Sequence, residues 1–135
     1  MRRDLRPGER SSLKSYHYDP HWSRLREAAV GSVLIDLHSY PVEPWPVELD
    51  PEADRPEIVL GTDENLTPPA WREALVDHFA RAGYSVGLNR PYGGVIDAGA
   101  DSAAMLEIRR DMLGAGAGSN SWARLVDVLA SAPLP

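Results

Sequence analysis

The sequence contains no cysteine. It therefore cannot form a disulfide, a thiolate metal site or a cysteine nucleophile, and any metal must be bound by histidines and carboxylates. No apolar run approaches the roughly 20 residues that a membrane-spanning helix needs. The basic N-terminus is not followed by the apolar stretch of a signal peptide. We therefore predict a cytoplasmic protein with no membrane partner.

The sequence also has fewer basic than acidic residues, 14 against 20, which gives a formal net charge of -6 at pH 7. Nucleic-acid binding needs clustered lysines and arginines, and the one basic cluster, MRRDLRPGER, has no aromatic residues between its charges. We predict a flexible arm over residues 1–15 and no nucleic-acid partner. Phosphate binding is not indicated either, since the sequence has neither a helix-opening GxGxxG segment nor a P-loop lysine.

The remaining composition is typical of a folded domain. The chain has 135 residues, of which 43% are hydrophobic and 25% charged, enough to bury one core. Residues 1–135 are therefore predicted to form a single domain.

Predicted helices and strands alternate along the chain. Helices are predicted over YDPHWSRLREAAVG, with Asp19 as its cap, over PPAWREALVDHFARAG, and from Ser121 to Leu129. Strands are predicted over SVLIDLHSY, PEIVLGT and YSVGLN. Between the first two strands, a run of prolines predicts a long irregular loop. The inner side of the second helix is predicted to carry Ala70, Leu75, Phe79 and Ala82. This alternation indicates an α/β fold with a parallel or mixed sheet flanked by helices.

The segment DLHSY is the strongest local candidate for a site, because open α/β sheets bind ligands beyond the carboxyl ends of their strands. His38 is a candidate metal ligand, and Asp36, two residues before it on the same strand face, could orient its ring. In the alternative interpretation, His38 bonds a neighbouring loop and Asp36 is a cap or turn residue.

Two further segments carry candidate residues. Glu107, between Leu106 and Ile108, could act as a general base toward a metal-bound water, or it could form an ion pair with a following arginine. In LNRPYGG, Asn89 precedes Arg90, whose guanidinium could bind a substrate carboxylate. A structural role is the alternative for Arg90.

One histidine pair also has metal-ligand spacing. His17 and His21 lie four residues apart, so two helical side chains there could share a metal. HYDPH has no glutamate like that of the HExxH zinc-protease motif and contains Pro20, which disfavours this site.

Taken in order, YDPHWSRL, VLIDLHSYP, PEIVLGT, AGYSVGLNRPYGG and LEIRRDML resemble the N-formylglutamate amidohydrolase family from about Tyr16 through Leu113. Two of these segments are also similar to the zinc carboxypeptidase pattern. The resemblance implies a zinc carboxypeptidase-like (phosphorylase/hydrolase-like) fold, with a strand over Met105 to Arg109. It also implies hydrolysis of N-formyl-L-glutamate, or a related N-acyl amino acid, to formate and glutamate in histidine degradation.

The same resemblance assigns roles to particular residues. It implies Zn²⁺ as cofactor with His38 as a ligand, Glu107 as the catalytic residue that activates water, and Asn89 and Arg90 as substrate-binding residues. The expected partner is a small acidic substrate.

The family's N-terminal portion, with its Pro-His-x-Gly-type segment and further metal ligands, has no counterpart in the sequence. We therefore expect a partial domain, whose missing ligands would come from another chain or from His17, His21 or Asp63. We also expect some tendency to form homo-oligomers. Two alternatives stay open: a non-catalytic remnant that binds a small acidic ligand or a partner, and a carboxypeptidase-like hydrolase.

Overall fold

The computed structural model describes residues 6, 8–48, 50–114 and 118–135. Within these residues the chain forms one sheet of four strands, in the order β1-β4-β2-β3. The strands are β1 (Val33–Tyr40), β2 (Ile58–Gly61), β3 (Val86–Leu88) and β4 (Ser102–Arg109). Part of the predicted arm, residues 1–5 and 7, lies outside the described residues, as do residues 49 and 115–117.

The sheet is mixed, as predicted. β1 runs parallel to β4 and β2 runs parallel to β3, whereas β2 and β4 are antiparallel. β4 lies inside the sheet, and all of its residues from Ser102 to Leu106 are buried. A nearly continuous apolar sequence is typical of a strand covered on both faces. The strand predicted over Met105 to Arg109 is confirmed and begins three residues earlier, at Ser102.

Two helices cover one face of the sheet. They are α3 (Pro69–Arg81) and α4 (Asn120–Ala130). The core contains the buried residues Ile58, Leu60, Trp71, Leu75, Phe79, Tyr84, Ala104, Leu106, Ile108 and Leu125. Of the predicted inner residues of α3, Leu75 and Phe79 are buried, but Ala70 is exposed and the neighbouring Trp71 is buried instead.

α4 begins slightly earlier than predicted. The side chain of Ser119, rather than Ser121, accepts a hydrogen bond from the backbone N–H of Trp122 at 3.2 Å. The first backbone N–H groups of a helix have no carbonyl partner within the helix, and a serine hydroxyl in this position accepts a hydrogen bond from one of them. Ser119 is therefore the cap of α4.

The N-terminal helical segment is longer than the sequence predicts. α1 (Glu9–Leu13), a π-helical turn (Lys14–Tyr18) and α2 (Asp19–Ala29) follow one another without interruption. Asp19 is therefore not a cap; its carboxylate accepts a hydrogen bond from Lys14 at 2.7 Å. Pro20 has no N–H and would crowd the carbonyl four residues before it in a regular α-helix. The wider π-helical turn lies just before this proline.

These N-terminal helices contribute little to the core, since Ala29 is their one buried residue in the described part. Among the helices that the structure describes, none has the length and apolar character needed to cross a bilayer.

Candidate functional site

One face of the sheet carries the polar side chains that the sequence predicts as a site. In the parallel pairing of β1 with β4, Asp36 lies beside Met105 and His38 lies beside Glu107. Because side chains alternate between the faces of a strand, Asp36, His38 and Glu107 share one face. The opposite face packs on α3 and α4. The structure thus brings together a histidine and two carboxylates.

Asp36 holds the ring of His38. The distance between His38 Nε2 and Asp36 Oδ2 is 2.8 Å. This hydrogen bond raises the pKa of His38 above its usual value of 6.5; partial burial acts in the opposite direction, and the charges of Asp36 and Glu107 add to the increase. In the neutral ring, a proton on Nε2 leaves the lone pair of Nδ1 free. The geometry therefore fits the predicted orienting role of Asp36.

Glu107 is the partly buried carboxylate of the site. Its Oε2 atom is inaccessible to solvent and has no hydrogen-bond partner among the described residues. Burial raises the pKa of Glu107 above its ordinary value, and the charge of Asp36 adds to this, whereas His38 and Arg110 act in the opposite direction. Buried polar atoms are nearly always paired. An unpaired carboxylate oxygen therefore suits a group that holds a proton, a water or a ligand.

The alternative role of Glu107, an ion pair with a following arginine, is not observed among the described residues. The guanidinium of Arg109 binds Asp111 through two bonds, of 2.7 and 3.0 Å, and also donates to the carbonyl of Arg55. Arg110 is exposed and influences Glu107 through its charge. Neither arginine contacts the buried oxygen of Glu107.

A polar cluster that sequence reasoning missed closes the end of this face. Arg55 donates to Glu48 at 2.8 Å and its guanidinium lies 5.1 Å from the ring centroid of Tyr40. Tyr92 donates to Glu48, and its ring contacts that of Tyr40 edge to face at 5.5 Å. Tyr40 in turn donates to the carbonyl of Pro56. The cluster fixes the proline-rich loop against the ends of β1 and β4.

One member of this cluster could have been found from the sequence. Tyr40 follows Asp36 and His38 at the strand period of two, so alternation predicts it on the same face. Glu48 and Arg55 lie in a loop without periodicity, and no sequence signal pairs them.

We predict that the cluster makes the protein acid-sensitive through Glu48. The hydrogen bonds from Arg55 and Tyr92 lower the pKa of Glu48 from 4.5 to about 2. A carboxylate with a depressed folded-state pKa contributes stability that is present above pH 4.5 and is lost as the pH falls toward 2. In Glu48→Gln, the urea midpoint should be lower at pH 6 and should fall less between pH 6 and pH 3 than in the parent protein.

The control for this experiment is Glu43→Gln, which changes an exposed carboxylate of the same loop. It should keep the pH dependence of the parent protein. If the urea midpoint of Glu48→Gln fell between pH 6 and pH 3 as much as that of the parent protein, the ion pair of Glu48 with Arg55 would not be the source of the acid sensitivity.

The glycine-rich turn after β3 packs on the same face of the sheet. A Cβ atom on Gly61 would lie 2.5 Å from the carbonyl oxygen of Gly94. One on Gly87 would lie 2.7 Å from the ring of Pro56 and 3.1 Å from the carbonyl oxygen of Arg90. Both strand positions therefore need glycine, because the turn, and at Gly87 also Pro56, approaches them closely. Gly61 lies opposite Met105 of β4.

Asn89 anchors this turn. Its side-chain oxygen accepts from the backbone N–H of Thr62 at 2.8 Å and from that of Gly94 at 3.3 Å, and its amide donates to the Thr62 hydroxyl. Asn89 has a φ of 55°, a conformation that asparagine tolerates better than most residues. These contacts show a structural role; its predicted role in substrate binding stays a prediction.

Arg90 is an exposed residue of the glycine-rich turn. It forms an ion pair with Asp50, and 70% of its side chain is exposed. It also lines a cavity of about 730 Å³ with Arg55, Pro56, Gly87 and others. Within the part of the chain that the structure describes, its ion pair is with Asp50 and not with Glu107.

The other proposed metal ligands do not converge on His38. His17 and His21 are exposed on the N-terminal helical segment. Asp63 caps its own turn, accepting from the backbone N–H groups of Asn65 and Leu66 at 2.8 and 3.2 Å. Across residues 6, 8–48, 50–114 and 118–135, no group of three or more histidines and carboxylates could hold a metal ion.

The donor set therefore fits a zinc ion only in part. His38 offers a ring nitrogen and Glu107 an unpaired oxygen, which are the atoms that a zinc ligand and a neighbouring base need. A catalytic zinc takes three protein ligands, and the described residues of one chain do not provide them.

The mixed sheet thus holds a histidine and a partly buried carboxylate side by side. The sequence matches the N-formylglutamate amidohydrolase family over residues 2–113. The chain belongs to that family, which confirms the resemblance drawn from its motifs. A search of curated protein sequences gave no match.

Two solved structures share the fold. An N-formylglutamate amidohydrolase from Ralstonia eutropha superposes with a TM-score of 0.70 at 24% identity, over 94% of this chain and 52% of that protein. A gene product of Agrobacterium tumefaciens superposes with a TM-score of 0.68 at 22% identity, over 96% of this chain and 54% of that protein. The chain spans about half the length of each.

Proposed function

We propose that the chain provides the glutamate base and one zinc ligand of a site that hydrolyses N-formyl-L-glutamate, or a related N-acyl amino acid. The observation that carries the proposal is the pairing of His38 with Glu107 across β1 and β4, with Oε2 of Glu107 buried and unpaired among the described residues. The neighbour from Ralstonia eutropha, an N-formylglutamate amidohydrolase, supports this choice of substrate.

His38 and Asp36 form the metal-binding side of the proposed site. Zinc, when bound, would polarise the formyl oxygen and lower the pKa of a bound water. Asp36 accepts a hydrogen bond from Nε2 of His38, which would leave Nδ1 as the ligand atom. Because the pKa of His38 is raised, a metal must compete with a proton for that nitrogen.

Glu107 acts first as the general base and then as the general acid of the proposed reaction. Its carboxylate removes a proton from the attacking water as the new carbon–oxygen bond forms, and it returns that proton to the amide nitrogen as the carbon–nitrogen bond breaks. The products are formate and glutamate. Because burial raises the pKa of Glu107, its carboxylate holds a proton more readily than an exposed glutamate does and can later return it.

Arg90 and Asn89 are the proposed binding residues for the carboxylates of the substrate. An exposed ion pair is worth only about 0–1 kcal/mol, so Arg90 can exchange Asp50 for a substrate carboxylate at little cost. Asn89 would act by holding the turn that carries Arg90.

The proposal is tested by measuring zinc content and formate release from N-formyl-L-glutamate. We expect bound zinc, and turnover that stops with a chelator and returns with zinc. N-acetyl-L-glutamate serves as the comparison substrate: faster release of acetate than of formate would change the assigned acyl group. A protein that contains no zinc and turns over neither substrate would contradict the proposal for this chain.

One observation favours a second candidate, a non-catalytic remnant that binds a small acidic ligand. Within the described residues the metal ligands are incomplete, while an exposed arginine remains beside the glycine-rich turn. Saturable binding of glutamate to a zinc-free, inactive protein, weakened by Arg90→Gln, would favour this candidate.

A further inference from the structure

Two contacts join the proline-rich loop to the glycine-rich turn, and they differ in their exposure to solvent. In the outer contact Arg90 pairs with Asp50, and the two side chains are 70% and 40% exposed. In the inner contact, two residues away along each segment, Tyr92 donates to Glu48, whose side chain is only 7% exposed. The outer contact is therefore open to exchange with a ligand, whereas the inner one is shielded.

The inner contact holds the loop without help from the outer one. The guanidinium of Arg55 donates to both carboxylate oxygens of Glu48, at 2.8 and 3.3 Å, and to the carbonyl of Pro41 at 2.7 and 3.2 Å. A shielded pair with two parallel hydrogen bonds is stronger than an exposed pair. The loop therefore stays in place when the pair of Arg90 with Asp50 opens.

The backbone on both sides of Arg90 is also fixed. The side chain of Asn89 accepts from the backbone N–H groups of Thr62 and Gly94, and the ring of Tyr92 is held by its bond to the loop. The exposed guanidinium of Arg90 thus projects from a rigid turn. A cation held in this way loses little conformational freedom when it binds an anion.

The outer ion pair lies between two cavities. Arg90 lines a cavity of about 730 Å³ beside β3, and Asp50 lines a second cavity of about 380 Å³ together with Trp45, Val47 and Tyr92. A small ligand in either cavity is next to one partner of the pair.

We propose that Asp50 is an internal competitor for the carboxylate site of Arg90, which an anionic ligand must displace in order to bind. The Asp50 side chain carries the same group, a carboxylate, that an N-acyl amino acid would present to the guanidinium. The apparent affinity for the ligand is then reduced by the fraction of molecules in which Asp50 holds Arg90. That the ligand is a substrate rests on the proposed function; the competition for Arg90 does not.

Asp50→Asn tests the competition in the zinc-free protein, by calorimetric titration with N-formyl-L-glutamate. Asparagine keeps the shape of aspartate and removes its charge, so Arg90 should be free for the ligand. From the contribution of exposed ion pairs, we expect the Kd to fall about two- to fivefold. Binding too weak to measure in both the parent protein and Asp50→Asn would overturn the inference.

Asp54→Asn is the matched control. It removes another exposed carboxylate that lines the same cavity as Arg90, and its Kd should stay close to that of the parent protein. An equal fall in Kd for Asp50→Asn and Asp54→Asn would reveal a general effect of charge and would contradict the competition.

A double-mutant cycle with Arg90→Gln separates competition from general repulsion. In that background Asp50→Asn should leave the Kd unchanged, because no guanidinium remains for the two carboxylates to share. If Asp50→Asn lowered the Kd as much without Arg90 as with it, Asp50 would act only by repelling the ligand, and the inference would be wrong.

Urea titration distinguishes this role from a structural one. Asp50→Asn should have nearly the urea midpoint of the parent protein, since exposed ion pairs add little stability, whereas Glu48→Gln should have a lower midpoint. A midpoint in Asp50→Asn as low as that of Glu48→Gln, with an unchanged Kd, would show that the contact serves the fold and would overturn the inference.

Formate release measured with zinc separates this inference from the proposed function. Release of formate together with a Kd that Asp50→Asn does not change would overturn the competition and leave the proposed function standing. Tighter binding in Asp50→Asn, with no formate release from any variant, would overturn the proposed function and leave the competition standing.

Discussion

Glu107→Gln is expected to lower the rate of formate release by about 100-fold to 10,000-fold, the range associated with a positioned general base. Glutamine has the shape of glutamate but cannot accept the proton of the attacking water. Zinc content should not change, because Glu107 is not the proposed ligand. The comparison requires kcat for both proteins at several pH values, since the parent rate should rise as Glu107 ionises through its raised pKa, and the variant should lack that limb.

The matched control is Glu64→Gln, which alters an exposed carboxylate in the turn after β2. It should retain the kcat and the pH profile of the parent protein. If Glu107→Gln preserved kcat, Glu107 would have no part in the reaction, even if the zinc were essential.

Phe79→Ala is expected to cost about 3–5 kcal/mol of unfolding free energy. The Phe79 side chain is fully buried at 0% exposure, in the layer between α3 and the sheet. Its removal forfeits the transfer of a phenyl ring from water and leaves a cavity. Since domains have only about 5–15 kcal/mol of net stability, the variant should be close to unfolding at room temperature. Urea titration followed by tryptophan fluorescence measures the change.

Arg81→Ala provides the control on the same helix. The Arg81 side chain is 80% exposed and pairs with Asp77 at 2.9 Å. An exposed pair of this spacing contributes about 0.3–0.5 kcal/mol. If Phe79→Ala cost no more than Arg81→Ala, the assigned core would be wrong.

Local pattern predicts the class of fold and most of its elements. Leu60 lies in a continuous apolar run, and Leu75 and Phe79 have the four-residue spacing of one helix face. Both patterns can be read from neighbouring residues, and the structure buries all three side chains. The prediction for Ala70 is wrong because a small residue gives little information about which side of a helix faces the core. The helical segment from Glu9 escapes prediction because Asp19 and Pro20 resemble a helix start in sequence.

The site could be predicted only in parts. His38 and Glu107 each lie at a strand position that alternation makes polar, but their pairing depends on β1 lying beside β4, which no local pattern specifies. The bond between Arg55 and Glu48 depends on the path of a proline-rich loop. Long-range contacts of this kind are set by the assembled fold and not by neighbours in sequence.

The strand order has a consequence for how the chain folds. β1 has no partner among the described strands until β4, and Val33 pairs with Ser102, which leaves the ribosome roughly 70 residues later. Among the described strands, the one that carries His38 therefore has no partner while β2, α3 and β3 are made. Closing so long a loop is slow in comparison with forming a helix. The histidine and the glutamate can meet only once β4 has paired with β1, so the arrangement that would support chemistry depends on one long-range pairing.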